Sequence, residues 1–210
     1  MKHLSLVLVL LGSTLGVAAA QAPAKPAAGA ATSAAKPAEA DSLVLLEKAV
    51  AKDSSKVDNL YRLGVMYMDR DRPTEAVQVL SKAYEKRPKD LRLLVNLGAA
   101  HDALGHGKQA QGYYEQALTV APNDSVASCR LASSLYADGK HQQSIDLLRT
   151  VLQHSPNSYC AYFQLGVAFA DAGIYRDAIR MWQKVVELAP ASPEGVSAQE
   201  SITVLQKFVQ

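Results

Sequence analysis

The chain of 210 residues carries 22 lysine and arginine residues against 20 aspartate and glutamate residues, a formal net charge of +2. This near balance argues against nucleic-acid binding, because phosphate contacts dominate that affinity and require a basic patch or a basic helix face. The length suits one domain with a sizeable core.

The N-terminus has the pattern of a secretory signal peptide. Lys2 precedes an apolar run at residues 4–11, and small residues follow at Ala18 and Ala20. We therefore predict a signal peptide at residues 1–20, cleaved after Ala20 or alternatively after Ala22, and a periplasmic or secreted protein. The alternative is an uncleaved anchor, which requires about 20 strongly apolar residues. The apolar run is shorter, so we predict no membrane span in the mature chain.

Residues 21–40 contain no large apolar side chain. The segment consists only of Ala, Pro, Gly, Ser, Thr, Gln, Lys and Glu. Such a composition buries too little apolar surface to offset the loss of chain entropy on folding. We predict a disordered linker here, followed by a single domain at residues 41–209.

The domain repeats with a period of 34 residues. Units at 57–90, 91–124, 125–158 and 159–192 align without a gap. Position 7 is always Leu, position 8 is Gly or Ala, position 20 is Ala or Ser, position 24 is large, position 27 is Ala or Val, and position 32 is Pro. Small residues at positions 8 and 20 let two helices approach closely. We therefore predict that each unit folds as a helix-turn-helix.

Turn and cap residues agree with this interpretation. Position 15 is Gly105, Gly139 or Gly173 in the last three units, where a left-handed residue ends the first helix. Asp90, Asp124 and Ser158 precede the first helices of those units as expected N-caps.

The spacings of Leu-Gly, Ala, a large apolar residue, Ala and Pro resemble the tetratricopeptide repeat family. The resemblance implies an all-α fold, an α-solenoid in which helix pairs stack into a right-handed superhelix, and a role in binding other proteins. The composition and the N-terminal segment indicate an exported bacterial member.

Both ends of the stack carry sequences suited to cover it. Residues 41–56 match the second helix of a missing preceding unit, with Leu46 and Ala49 at positions 24 and 27. Residues 193–209 place Val196, Ile202, Leu205 and Val209 on one side, but Gln199 and Glu200 stand at the Leu-Gly positions. We predict a capping helix at each end.

In tetratricopeptide arrays, positions 2, 5, 9, 12 and 13 of the first helices line a concave groove. By this resemblance the groove of the present chain is largely apolar, with aromatic anchors that we expect no neighbouring helix to cover. The predicted partner-binding residues are Tyr61, Val65, Met68, Arg92, Val95, Ala99, Val126, Cys129, Tyr136, Phe163 and Val167. We expect an extended or helical segment of a partner protein to bind there.

By the same resemblance, Cys129 and Cys160 face the groove from neighbouring first helices. An even cysteine count in an exported protein favours a disulfide. Free thiols are the alternative, because adjacent first helices lie near the upper Cα separation of about 7 Å that a disulfide allows. A redox role is weaker, because no CxxC motif is present.

Chemistry-bearing motifs are missing from the sequence. The five histidines show no metal-ligand or catalytic spacing with cysteines or carboxylates. No GxSxG elbow occurs. We predict neither catalytic residues nor a metal nor a cofactor.

The leading hypothesis is a protein-binding adaptor of the cell envelope. A regulatory accessory subunit of an envelope enzyme, such as one that modifies peptidoglycan, is the second hypothesis. Self-association into a structural assembly is the third. The sequence leaves the partner, the pathway and the oligomeric state open.

Overall fold

The computed structural model describes residues 37–209. The predicted signal peptide at residues 1–20 and residues 21–36 of the predicted linker lie outside the described residues. Helix α1 begins at Pro37, so the last four residues of the predicted linker belong to a helix, and the boundary predicted at residue 41 is corrected to 37.

The described residues form ten α-helices and contain no β-strand. After α1 (Pro37–Lys52), the helices alternate between 13 and 14 residues, as the 34-residue repeat predicts. They are α2 (Val57–Asp69), α3 (Pro73–Lys86), α4 (Leu91–Ala103), α5 (Gly107–Val120), α6 (Ser125–Ala137), α7 (His141–His154), α8 (Tyr159–Asp171), α9 (Tyr175–Leu188) and α10 (Pro193–Leu205).

Local signals set the helix ends. Gly105, Gly139 and Gly173 have φ values of 75°, 77° and 74° after the first helix of their units, and Asp71 takes the same left-handed conformation in the first unit. Each second helix ends two residues before the Pro at position 32, which cannot continue a helix. The predicted turns are confirmed.

Two of the three predicted N-caps form side-chain hydrogen bonds. Asp90 Oδ1 accepts from the backbone N–H of Arg92 at 3.0 Å, and Asp124 Oδ1 accepts from that of Ala127 at 2.7 Å. Ser158 occupies the N-cap position of α8 without such a bond, because its hydroxyl is engaged elsewhere.

The close approach within each unit follows from its small residues. A methyl group added to Gly64, Gly98 or Gly166 would overlap with the side chain at position 24 of the same unit, which is Leu80, Tyr114 or Trp182. In the third unit, the Ser144 hydroxyl donates to the Ala132 carbonyl at 2.7 Å. The small residues therefore hold the two helices of each unit in contact.

The terminal helices cover the ends of the stack only in part. Helix α1 buries Leu43 against the first repeat, and the Tyr67 hydroxyl donates to Glu47 Oε1 at 2.8 Å. Helix α10 buries Ala198 and Ile202. Helix α10 ends at Leu205, four residues before the predicted end of the cap at residue 209. Leu205 and Val209 nevertheless pack against this cluster as predicted, whereas Val196 is exposed.

Candidate functional site

The first helices of the units form one layer. The backbones of α2 and α4, α4 and α6, α6 and α8, and α8 and α10 lie close together, whereas those of α3, α5, α7 and α9 are more widely spaced. Side chains bridge α3 and α5, where the Tyr84 hydroxyl donates to Gln116 Oε1 at 2.8 Å. Because the first helices lie closer together than the second helices, they form the inner, concave side of the stack.

A pocket of about 290 Å³ lies on this inner side, between α6 and α8. Val126, Cys129 and Phe163 contribute apolar lining, and the exposed Tyr159 stands at the edge. Arg130 and Glu194 supply the two charged side chains. The pocket therefore combines apolar walls with a polar rim, which is typical of sites that receive side chains of a ligand.

A disulfide forms one wall of this pocket. Cys129 of α6 and Cys160 of α8 are bonded, with their Cα atoms 6.2 Å apart. The Ser158 hydroxyl lies 3.2 Å from Cys160 Sγ, and since a disulfide sulfur carries no hydrogen, the hydroxyl is the donor. The bond fixes the spacing of the two helices that frame the pocket.

The predicted groove residues divide between separate surfaces. Val126, Cys129 and Phe163 lie together at the pocket between α6 and α8. Tyr61 and Val65 instead line a second cavity, between α1 and α2. Met68, Val95 and Val167 are partly buried in the hydrophobic core. Tyr61 and Val65 therefore line a different cavity from Val126, Cys129 and Phe163.

Phe163 is not the uncovered anchor that the sequence predicted. Its side chain is only 8% exposed and packs in one cluster with Trp182 of α9 and with Ala198 and Ile202 of α10. Cys129 is also buried, at 5% exposure. By contrast, Val126 is 54% exposed. The prediction overlooked the cover that α10 provides.

The other predicted anchors have polar partners. The guanidinium of Arg92 lies over the Tyr61 ring, 4.9 Å from its centroid. The Tyr136 hydroxyl donates to Asp171 Oδ2 at 2.9 Å. Burial, the hydrogen bond to Asp171 and the charge of Asp171 raise the pKa of Tyr136 to about 12. Ala99 is half-buried on α4.

Several pocket residues were not predicted. Tyr159 stands at position 1 of the fourth unit, and Glu194 stands at position 2 of α10 when the register is continued past residue 192. Position 2 belongs to the predicted groove set, so extending the register into the terminal helix would have found Glu194.

Comparison of the sequence with known protein families supports a repeat built of helix pairs. Profiles described as tetratricopeptide repeat match residues 67–128, and residues 40–90 together with 129–193. The chain belongs to the tetratricopeptide repeat family. The small residue at position 8, packed against position 24, is thus the family pattern in this array.

Individual tetratricopeptide relatives share the repeat at low identity. The peroxisomal targeting signal receptor of Kluyveromyces lactis is 23% identical over 155 residues, which are 73% of this chain but only 27% of the receptor. The solved structure of TTC0263 from Thermus thermophilus has a TM-score of 0.68 at 18% identity, covering 79% of this chain and 91% of that chain. The structure of YrrB, described as a tetratricopeptide protein with an unusual peptide-binding site, has a TM-score of 0.57 at 23% identity, with 78% and 84% covered.

A polar network joins the second and third tetratricopeptide units. Asp102 accepts hydrogen bonds from the Tyr114 hydroxyl and the Ser134 hydroxyl, each at 2.9 Å. Burial raises the pKa of Asp102, and the two donors act against that rise. The network lies beside an open cavity of about 820 Å³ that also exposes His106 and Asp138.

His101 and His106 lie together near this network. Their Nδ1 atoms are 3.5 Å apart, and the His101 ring stacks on Tyr113 with centroids 5.3 Å apart. Burial lowers the pKa of His101, and the nearby His106 lowers it further. The described residues contain no group of three or more His, Cys, Asp or Glu side chains placed to hold a metal ion. None of the helices in residues 37–209 is long and apolar enough to cross a membrane.

Proposed function

We propose that this protein is an exported adaptor of the cell envelope that holds a segment of a partner protein in the pocket between α6 and α8. The observation that carries the proposal is the exposed Val126 beside a pocket with fixed walls on the concave side. Apolar surface that remains exposed in a folded domain commonly marks an interaction site.

The disulfide supports both parts of this proposal. Disulfides persist in oxidising compartments such as the periplasm and are rare in the cytosol. The bond between Cys129 and Cys160 also keeps α6 and α8 at a constant separation. A pocket whose walls are fixed before binding loses less conformational entropy when a ligand enters.

The ligand that suits this pocket is a segment with an apolar side chain and polar neighbours. Val126 offers an exposed apolar contact, and the disulfide and the largely buried Phe163 line the pocket beside it. Arg130 and Glu194 offer one charge of each sign. The fold shared with YrrB, described as having an unusual peptide-binding site, agrees with a peptide ligand. We therefore propose that this pocket binds a peptide segment of a partner protein.

Capture of partners from an envelope extract tests the proposal with two matched variants. Val126→Glu places a charge beside the pocket, whereas Val120→Glu makes the same change at a valine that is 42% exposed and lies outside it. We expect Val126→Glu to lose the partner and Val120→Glu to retain it. Equal capture by both variants would show that the pocket does not hold the partner.

The same capture separates the three functional hypotheses. A non-enzymatic envelope protein among the captured partners supports the adaptor role. Capture of an envelope enzyme whose activity changes on binding supports the accessory subunit. Recovery of this chain alone, with an assembly larger than a monomer by light scattering, supports self-association.

Export is tested independently of binding. The chain is expressed with its own N-terminus in a bacterial host, and the protein in the periplasmic fraction is sequenced from its first residue. We expect the mature protein to begin at Gln21, the residue after Ala20. Protein that retains Met1 and remains with the cytoplasm would contradict the proposed localisation.

A further inference from the structure

In each repeat, one face of the second helix packs against the first helix of the same repeat. Helix α1 has the sequence of a second helix, but within the described residues no first helix covers the corresponding face. In the second unit, Tyr114 and Ala117 occupy positions 24 and 27 and are fully buried beneath α4. The equivalent residues of α1, Leu46 and Ala49, are only half-buried. Leu45, which precedes Leu46 and stands at position 23, is 65% exposed.

The uncovered face forms a groove of about 540 Å³ between α1 and α2. Leu45, Leu46 and Ala49 line it from α1. Val65 and Met66 line it from α2. The surface is mainly apolar, and it lies at the opposite end of the array from the pocket between α6 and α8.

One charged side chain, Arg62, lines this groove. It stands at position 6 of its unit, as Arg130 does in the third unit. Asp102 of α4 accepts a hydrogen bond of 2.9 Å from Ser134 of α6, and Arg130 stands four residues, about one turn, before Ser134 on the same helix. An incoming helix can be placed against α1 and α2 in the same way as α4 packs against α5 and α6. Its position 12, which Asp102 occupies in α4, would then lie near Arg62.

The geometry points to a second binding site, in which this groove holds an amphipathic α-helix of a partner protein. That helix carries Leu followed directly by Gly or Ala, and a carboxylate four residues after the small residue. The pattern is that of Leu97, Gly98 and Asp102 in α4. The small residue permits close approach to Leu46. The carboxylate pairs with Arg62. Met66, a flexible side chain, adapts to the shape of the incoming helix.

The residues that precede α1 do not have the sequence of such a helix. Residues 23–36 are in register for the missing first helix, but they contain no leucine or aromatic residue and include Pro23 and Pro26. Helix α10 of a second copy also fits poorly, because Gln199 and Glu200 stand where α4 has Leu97 and Gly98. A glutamate at position 8 would hold the two helices apart.

A synthetic peptide with the sequence of residues 91–104 is the probe. We expect it to shift the backbone NMR signals of α1 and α2 in the full chain. Leu45→Glu should weaken binding about tenfold or more, because an apolar contact is replaced by a charge. Val44→Glu is the matched control, since Val44 is exposed on the same helix but does not line the groove. A peptide with Gly98→Leu should not bind.

A charge exchange tests the polar contact. Arg62→Glu should weaken binding of the peptide by about two- to fivefold, the range of an exposed ion pair. A peptide with Asp102→Lys should recover that loss. A failure to recover it overturns the assigned orientation of the helix.

Three further results overturn the proposal. Shifts that are absent, or confined to residues near Cys129 and Cys160, show that α1 and α2 do not hold the helix. Binding to the full chain but not to a chain that begins at Gln21 shows that the site depends on residues 1–20, which the proposed mature protein lacks. Concentration-dependent shifts at α1 without the peptide assign it to a second copy. Absent shifts at α1 and α2 do not bear on the pocket between α6 and α8, whereas shifts confined to Cys129 and Cys160 would place the peptide in that pocket. This site and the proposed adaptor role therefore fail separately.

Discussion

The hydroxyl of Tyr114, a side chain with no exposed surface, donates a hydrogen bond of 2.9 Å to Asp102 Oδ2. The bond joins the two helices of the second unit, and Ser134 extends it to the third unit. Burial, the charge of Asp102 and this hydrogen bond all raise the pKa of Tyr114. The hydroxyl therefore stays protonated and serves as a donor at physiological pH.

Tyr114→Phe removes this donor and leaves a partly buried carboxylate with one fewer partner. We expect the free energy of unfolding to fall by about 1–3 kcal/mol, the range for hydrogen bonds to charged groups and for unsatisfied polar groups. Urea denaturation measures it. Tyr113→Phe is the control, because the Tyr113 hydroxyl makes no hydrogen bond within residues 37–209. Equal losses for the two variants would show that the hydrogen bond is not the cause.

Two glycines on neighbouring helices should respond oppositely to alanine. At Gly98 a methyl group overlaps with the Tyr114 ring, while at Gly112 a methyl group meets no atom within 4 Å. Gly98→Ala should lower the free energy of unfolding, because overpacking costs about 1–3 kcal/mol. Gly112→Ala should raise it by up to about 1 kcal/mol through helix propensity. Thermal unfolding of both variants distinguishes these outcomes, and a stabilised Gly98→Ala would contradict the packing.

Reduction of the disulfide should destabilise the fold without abolishing it. The two cysteines are separated by 31 residues, and closing a loop of that size contributes roughly 3–4 kcal/mol. We expect the variant with Cys129→Ser and Cys160→Ser to lose about that much stability in urea. Thiol titration of the unreduced, denatured protein should find no free thiol. Two free thiols would contradict the pairing.

His101 should make the protein less stable in mild acid. Its pKa is lowered from 6.5 in the folded state by burial and by His106, so the neutral ring is favoured there. The associated stability is present above pH 6.5 and is lost as the pH falls through the folded pKa.

His101→Tyr places at this position the residue type that Tyr67 has at the same position of the first unit. Between about pH 7 and about pH 5, the free energy of unfolding of this variant should fall less than that of the wild type. Urea titrations at the two pH values measure the difference. His154→Gln is the control, since His154 is exposed at the end of α7. An unchanged acid loss in His101→Tyr would exclude His101 as its source.

The 34-residue repeat made the fold predictable from the sequence. The pocket between α6 and α8 was less predictable, because it depends on contacts with α10, which lies outside the four repeats. Gly98 and Tyr114 identify their contact through spacing alone, and Asp90 and Asp124 identify helix starts through a local hydrogen bond. The position of Phe163 in the register indicates an inner residue but carries no information about α10, which covers it. A periodic pattern thus predicts contacts within the repeat better than those at its ends.

Site-specific photocrosslinking tests directly whether a partner protein binds between α6 and α8. A photoreactive amino acid is placed at Val126 beside the pocket, or at Val120 as the exposed control, and intact cells are irradiated before the envelope is analysed. We expect an adduct to one partner protein from position 126 and none from position 120. Adducts of the same kind from both positions, or from position 120 alone, would contradict a binding site between α6 and α8.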